Sequence, residues 1–199
     1  MKNTLKAFIV LIVLVLGAFL YAWSGLYNIS ATEPHWAITS SFIEILRDRS
    51  IDAYSDGVQT PDLREPKLKE AAFPHYHEMC RLCHGAPQYP PEEFAKGLYP
   101  APPSMTEGHI QEERSQDQFY WIVKHGLKMT GMPAFGSTHD EKELWGLAAL
   151  AWEMPHMTPE RYRQVIDAMD ARGGMGHGHT HGEAEYEQTE NEHTHGEKE

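Results

Sequence analysis

Cys80-Arg81-Leu82-Cys83-His84 is the stretch on which the reading of this chain turns. Two thiols stand one helical turn apart and an imidazole follows at once. That spacing reads as a c-type haem attachment site. Each thiol can form a thioether to a haem vinyl group, and His84 then lies under the ring with a nitrogen for the iron. The iron has a sixth position, and its occupant sets the chemistry: a thioether sulfur suits electron transfer, an open position suits ligand binding. Downstream, Thr130-Gly131-Met132-Pro133-Ala134-Phe135-Gly136 offers such a sulfur. Two other readings of the cysteines compete. Zinc wants four ligands, usually from a second Cys/His pair, and no second cysteine pair exists here. A thioredoxin-like redox motif needs a βαβ context, and no such strand pattern is visible.

The 199 residues suffice for one modest domain with appendages. Both cysteines sit in the motif, so no disulfide framework is available. The formal net charge is −12, and seven Glu against one Lys after Gly173 supply half of it. Such an acidic chain argues against nucleic acid as a partner, because phosphate binding needs a Lys/Arg surface. It fits a partner with a basic docking patch, or plain solubility.

The N-terminus divides the chain further. Lys2 and Lys6 precede an apolar run from Ala7 to Trp23, long enough with Ser24 to Tyr27 to span a bilayer. Tyr21, Trp23 and Tyr27 would form an interfacial belt, and the lysines place the N-terminus in the cytoplasm. The run is long for a cleaved signal peptide and its exit is bulky, so it is read as an uncleaved anchor, with cleavage as the alternative. Either way the remainder is exported, and the expected location is a single-pass protein of the cytoplasmic (inner) membrane with its haem domain in the periplasm. Four regions follow: the anchor at 1–28, an amphipathic helix and linker at 29–66, the haem domain at 67–172, and a His/Glu-rich tail at 173–199.

Within these, Thr32 to Arg49 reads as a helix capped by Thr32 with Pro34 in its first turn, Ile38, Phe42, Ile45 and Leu46 recurring at helical spacing. That face needs a cover: the membrane surface, the haem domain or another subunit. Tyr54 to Pro66 reads as a linker. Lys67 to Cys80 is the helix into the motif, kinked or restarted at Pro74. Six prolines between Gly85 and Thr106 leave only an ordered loop. Gln116 to Gly126 is a short helix, Asp140 to Met154 a longer one ended by Pro155, and Pro159 to Arg172 a final short one capped by Thr158.

Taken in order, Tyr76-x-x-x-Cys80-x-x-Cys83-His84-Gly85, Ala101-Pro102-Pro103 and Thr130-Gly131-Met132-Pro133-Ala134-Phe135 resemble the class I (mono-haem) c-type cytochromes. The likeness is to the membrane-anchored bacterial branch related to the cytochrome subunits of cbb3-type oxidases. It covers about Lys67 to Met157, and the anchor, the Thr32–Arg49 helix and the tail lie outside it. The resemblance implies an all-α fold whose N- and C-terminal helices cross around one covalent haem c. It implies His84 and Met132 as axial ligands. It also implies that a backbone carbonyl near Pro102 holds the His84 Nδ1–H, a bond that orients the ring and raises its basicity.

The residues leave some choices open. Met129 or a histidine could stand in for Met132, although Gly131 and Pro133 suit Met132 best. His75, His77, His109, His125, His139 and His156 read as exposed or locally bonded. Lys124 and Lys128 are either solvent-facing charge or a small basic rim that steers a partner. The tail histidines 177, 179, 181, 193 and 195 could hold Zn, Ni or Cu ions weakly, or none. Three functions compete accordingly. The first is an anchored carrier of single electrons between redox proteins of the membrane, such as an oxidase, reductase or dehydrogenase. The second is a ligand-binding or peroxidase-like haem protein with a labile distal site. The third is a metal-handling protein that uses its tail.

Overall fold

The computed structural model describes residues 2–63 and 65–171, so the metal reading of the tail histidines lies outside the described residues. Among them the regular structure is entirely helical: α1 (Lys2–Trp23), α2 (Ala37–Ser55), α3 (Pro66–His75), α4 (Arg81–His84), α5 (His109–Glu113), α6 (Gln116–His125), α7 (Glu141–Glu153) and α8 (Pro159–Asp170). α1 spans 22 residues with no buried side chain. At 1.5 Å per residue it is about 33 Å long, enough to cross a bilayer's hydrocarbon core of about 30 Å. It is the one described helix long and apolar enough to do so.

The core forms where α3 crosses α7. Leu68, Ala72 and Phe73 of α3 bury against Leu144, Leu147, Ala148 and Ala151 of α7. Gly146 is what lets the two backbones meet: a Cβ there would lie 2.7 Å from the Leu68 carbonyl oxygen and 3.0 Å from the Ala72 Cβ. α6 packs on the same α7, with Tyr120 stacked on Trp145 at 4.0 Å between ring centroids. Such pairs contribute about 0.5–1.5 kcal/mol beyond the area they bury. α8 closes the other side, its fully buried Tyr162 against Phe73 at 4.9 Å. The crossing pair is therefore α3 with α7, and α8 follows as an added layer.

Local signals set the ends. Asp140 and Glu143 form a reciprocal cap at the start of α7: Asp140 Oδ1 accepts from the Glu143 amide at 2.9 Å and Glu143 Oε2 from the Asp140 amide at 3.0 Å. Thr158 Oγ1 accepts from the Arg161 amide at 3.2 Å and starts α8. α6 ends at Gly126, at φ +63°.

Two expectations about the helices need correction. α3 does not restart at Pro74; it runs through the proline to His75, and Ala72, Phe73 and Tyr76 are all buried in the core. The strain is absorbed just beyond, where Tyr76–Cys80 forms a widened π-helical turn closed by the Arg81 N–H on the Tyr76 carbonyl, five residues back. The second concerns α2, which begins at Ala37 rather than Thr32 and ends at Ser55 rather than Arg49. Thr32 is held in a turn by its hydroxyl contact with Ser30 at 2.6 Å, so it cannot cap. The C-terminal extension follows from burial: Ile51 and Ser55 are almost fully enclosed. There α2 leans on α6, with Gln118 Nε2 donating to Asp52 Oδ1 at 2.8 Å and Tyr54 stacked on Trp121. The nearly buried Arg114 guanidinium binds Asp48.

Two outcomes follow. Gly146→Ala gains helix propensity but forces the α3–α7 backbones apart, and a net loss of about 1–2 kcal/mol is expected in denaturant unfolding. Gly97→Ala, where an added Cβ meets nothing within 4 Å, should leave stability within error. The second concerns Asp48. Burial pushes its carboxyl up, but hydrogen bonds from Arg47 and Arg114 together outweigh this and hold it below its ordinary value. Its stabilisation of the contact between α2 and Arg114, just before α6, is then complete above the usual carboxylate range and is lost as pH falls through the lowered value, below about pH 4. Trp121 fluorescence followed through an acid titration should report this loss, and Asp48→Asn should remove that step.

Candidate metal centre

The α3 segment delivers the motif. Cys80 closes the widened turn, and Cys83 and His84 end α4, where Gly85 turns the chain away at φ +71°. A Cβ on Gly85 would sit 3.3 Å from Pro91 Cδ and 3.4 Å from the Tyr89 carbonyl oxygen, so the turn takes glycine for space as well as for φ. Tyr76, 1% exposed, reaches forward from the widened turn and donates its hydroxyl to the Gly85 carbonyl at 2.9 Å. Burial raises that phenol's pKa, so it stays a donor. The following loop is stitched back onto the motif by the Glu92 amide on the Leu82 carbonyl at 2.8 Å and by Arg81 Nη1 on Glu92 Oε1 at 3.0 Å.

His84 has one defined hydrogen bond, between Nδ1 and the Pro103 carbonyl oxygen at 2.8 Å. A carbonyl can only accept, so Nδ1 carries the proton and Nε2 keeps its lone pair. Burial pushes the imidazole's pKa down, with the Pro103 bond opposing. The ring is thus held neutral near pH 7, with Nε2 as a ready ligand atom. The accepting carbonyl belongs to Pro103, one residue beyond Pro102. The Met105 amide donates to the His84 carbonyl at 3.1 Å, and this second bond sets the register that turns Pro103 toward the ring.

The two thiols are unlike those of a redox-active CxxC pair. Burial pushes Cys80 up to about 12, with Cys83 adding to the effect, and burial raises Cys83 as well. Reactive dithiols need the opposite, a lowered pKa. Among the described residues no three or more His, Cys, Asp or Glu side chains gather to hold a metal ion. Both competing readings of the cysteines therefore lack support, and the donor set fits a haem: two thiols for its edge and one imidazole with a fixed tautomer.

The second arm comes from α6. Its end at Gly126 is packed so tightly that a Cβ would lie 2.7 Å from the Ala134 nitrogen and 2.8 Å from the Met132 oxygen. Residues 127–132 then close on themselves. The Leu127 amide donates to the Met132 carbonyl at 3.1 Å, Thr130 Oγ1 donates to the Leu127 carbonyl at 2.8 Å, and the Met132 amide donates to Thr130 Oγ1 at 3.1 Å. Gly131 fits beneath Leu98, whose methyls would be 3.1 Å from an added Cβ. Met132 is partly buried against the core that Cys80 also flanks. Met129 sits at φ +61° and is 86% exposed, turned away from that core.

The other histidines have local partners or face solvent. His75 Nδ1 lies 2.9 Å from His139 Nε2, His77 Nδ1 lies 2.9 Å from the Tyr162 hydroxyl, and His125 packs on Trp121. His109 and His156 are exposed. The basic rim is smaller than its two lysines suggest, because Lys124 Nζ binds Glu141 Oε1 at 3.0 Å and the Tyr120 hydroxyl at 3.1 Å. Lys128 alone of the pair stands exposed without such a contact being formed to an acid. Sequence reasoning left open which proline holds His84, took Gly126 only as a helix stop, and missed the Thr130 clamp. Thr130 was visible within the quoted motif, but nothing in one sequence ties it to Leu127.

An all-helical fold built on one helix crossing, with a CxxCH motif at the end of the first crossing helix, defines a c-type cytochrome domain. Residues 69–150 match the family model described as cytochrome C oxidase, cbb3-type, subunit III, so this stretch is a c-type cytochrome domain resembling the cbb3 subunits. Comparison with curated proteins gave no match, and neither did comparison with solved structures.

Thr130→Ala deletes both ends of the clamp and should cost about 1–2 kcal/mol, with faster hydrogen exchange at the Met132 amide than elsewhere in the domain. Thr130→Ser keeps the hydroxyl and should restore most of the protection.

Proposed function

We propose that this chain is a membrane-anchored mono-haem cytochrome that carries single electrons between redox proteins, and is not itself an enzyme. In this reading Cys80 and Cys83 hold one haem c by thioether bonds, His84 offers Nε2 as the proximal ligand, and Met132 offers its sulfur as the distal one. The observation that carries it is the His84–Pro103 hydrogen bond, because it commits the imidazole to the tautomer that leaves Nε2 free to ligate iron. When bound, the haem supplies reversible one-electron oxidation and reduction at iron, tuned upward by a thioether ligand.

The chain's own residues do the rest. The Pro103 carbonyl orients His84 and raises its basicity. Tyr76 locks the turn after His84, so the imidazole does not swing. The Thr130 clamp and Gly126 hold Met132 in a closed loop, and a loop held in both oxidation states keeps reorganisation small. A sixth position filled by sulfur leaves no site for peroxide or oxygen. The haem domain would sit on the periplasmic face of the inner membrane, with α1 holding it beside membrane-bound donors and acceptors and raising their effective concentration.

The optical spectrum of the haem-loaded protein tests this. The ferric form should show the thioether-to-iron charge-transfer band, and the ferrous form should not bind CO. Met132→Ala should lose the band and bind CO, while Met129→Ala should leave both readouts unchanged. Rapid CO binding by the unaltered protein would mean a labile distal site and would overturn the carrier reading in favour of ligand chemistry.

A further inference from the structure

α2 has two faces with different fates. Ile51 and Ser55 turn toward α6 and are buried. At about 100° per residue, Ile38, Phe42, Ile45 and Leu46 fall in one stripe about 12 Å long on the other side of the helix. They are 78%, 67%, 62% and 61% exposed, so nothing among the described residues covers them. From Trp36 to Ile43 there is no charged residue; Glu44, Arg47, Asp48, Arg49 and Asp52 follow, toward the other end of the helix.

The beginning of α2 is pinned beside the exit of α1. Trp36, the residue before α2, lies 6.0 Å by ring centroids from Tyr21 in the last turns of α1 and 5.4 Å from Tyr27. The Tyr27 hydroxyl is 2.7 Å from His35 Nδ1, and the His35 amide donates to the Tyr99 hydroxyl at 3.0 Å. Trp23 at the end of α1 is 81% exposed, and Leu26 and Ile29 between the helices are 74% and 88% exposed. Exposed apolar side chains therefore recur on α1, in the connecting loop and on α2, with polar residues such as Asn28 and Glu33 among them. A bilayer that surrounds α1 meets those side chains next.

We propose that the Ile38–Leu46 face of α2 lies in the acyl–headgroup boundary of the bilayer that α1 enters, and that it orients the haem domain against the membrane. Apolar helix faces bury to this depth at interfaces, and aromatic side chains such as Trp36 and Tyr27 favour it. The orientation would be passed on at two points. One is the α2–α6 contact. The other is Tyr99, which adjoins Leu98 and so the Met132 loop. The inference rests on the reading of α1 as a spanning anchor.

The test places single spin labels in the full, haem-loaded chain in phosphatidylcholine/phosphatidylglycerol liposomes. Cys80 and Cys83 are then occupied as thioethers, so an added cysteine is the free thiol. Phe42→Cys and Ile45→Cys report the stripe, Glu44→Cys the opposite side, and Leu14→Cys the middle of α1. An unchanged optical spectrum certifies that each variant has folded. At 42 and 45, relaxation by oxygen relative to a water-soluble nickel chelate should be several-fold higher than at 44. Equal nickel access at 42, 44 and 45 would overturn the proposal and leave the stripe in water. Shielding of 42 and 45 from both reagents would also overturn it, and would mean that a second copy or another protein covers the stripe. Leu14 separates the two readings. Lipid contact at 14 without contact at 42 and 45 rejects the α2 inference alone, whereas nickel access at 14 rejects the anchor and the inference together.

Discussion

Both arms of the metal centre hang from one close contact, the crossing of α3 and α7 at Gly146. A hydrogen in place of a side chain lets the Leu68 carbonyl and Ala72 seat against α7 at van der Waals distance. α3 leads through the widened turn to Cys80, Cys83 and His84. α7 carries Trp145, whose stack on Tyr120 positions α6, and α6 ends at Gly126, where the Met132 loop begins. The His84 arm and the Met132 loop are thus set by the two partners of one crossing. Protein interiors pack too densely for such a contact to shift without moving everything attached to it.

The chemistry at the site is one of neutral groups held in one orientation. Burial raises the pKa of both cysteines and lowers that of His84, so each is favoured in its neutral form. The Pro103 carbonyl chooses the tautomer, and two prolines in succession offer carbonyls without competing N–H donors. Glycines at 85 and 126 stand where any side chain would collide with backbone or ring atoms. Charge is kept at the periphery, in pairs such as Arg81 with Glu92 and Lys124 with Glu141. A one-electron centre benefits from this arrangement, since little around it needs to move or exchange a proton when its charge changes.

α2 belongs to two environments at once. Its second half is fastened to α6 through Asp52 and to Arg114, just before α6, through Asp48, with Ile51 buried, while its first half carries exposed apolar side chains. A rigid helix shared in this way would link the direction of the apolar N-terminal helix to that of the cytochrome domain. A flexible tether would raise the local concentration of partners but would leave the domain's facing undetermined.

The sequence by itself determined the haem motif, the all-helical class, the apolar N-terminal helix, and the α6 and α7 spans. These are local: CxxCH is a covalent spacing, and Asp140 with Glu143 caps its own helix. Met132 was preferred over Met129 because Gly131 and Pro133 act on the adjacent backbone; in the fold Met129 faces solvent and Met132 is partly buried. The tertiary structure alone decided the rest. Whether Pro102 or Pro103 faces His84 depends on the return of Met105 to His84, a contact across 21 residues. α2 starts late and ends late because Thr32 is taken by Ser30 and because Ile51 and Ser55 find α6, 60-odd residues away in the chain. α3 survives Pro74 because the burial of Phe73 and Tyr76 outweighs the lost hydrogen bond. Each such outcome is a competition between a local preference and a distant contact, and only the assembled core shows which one wins.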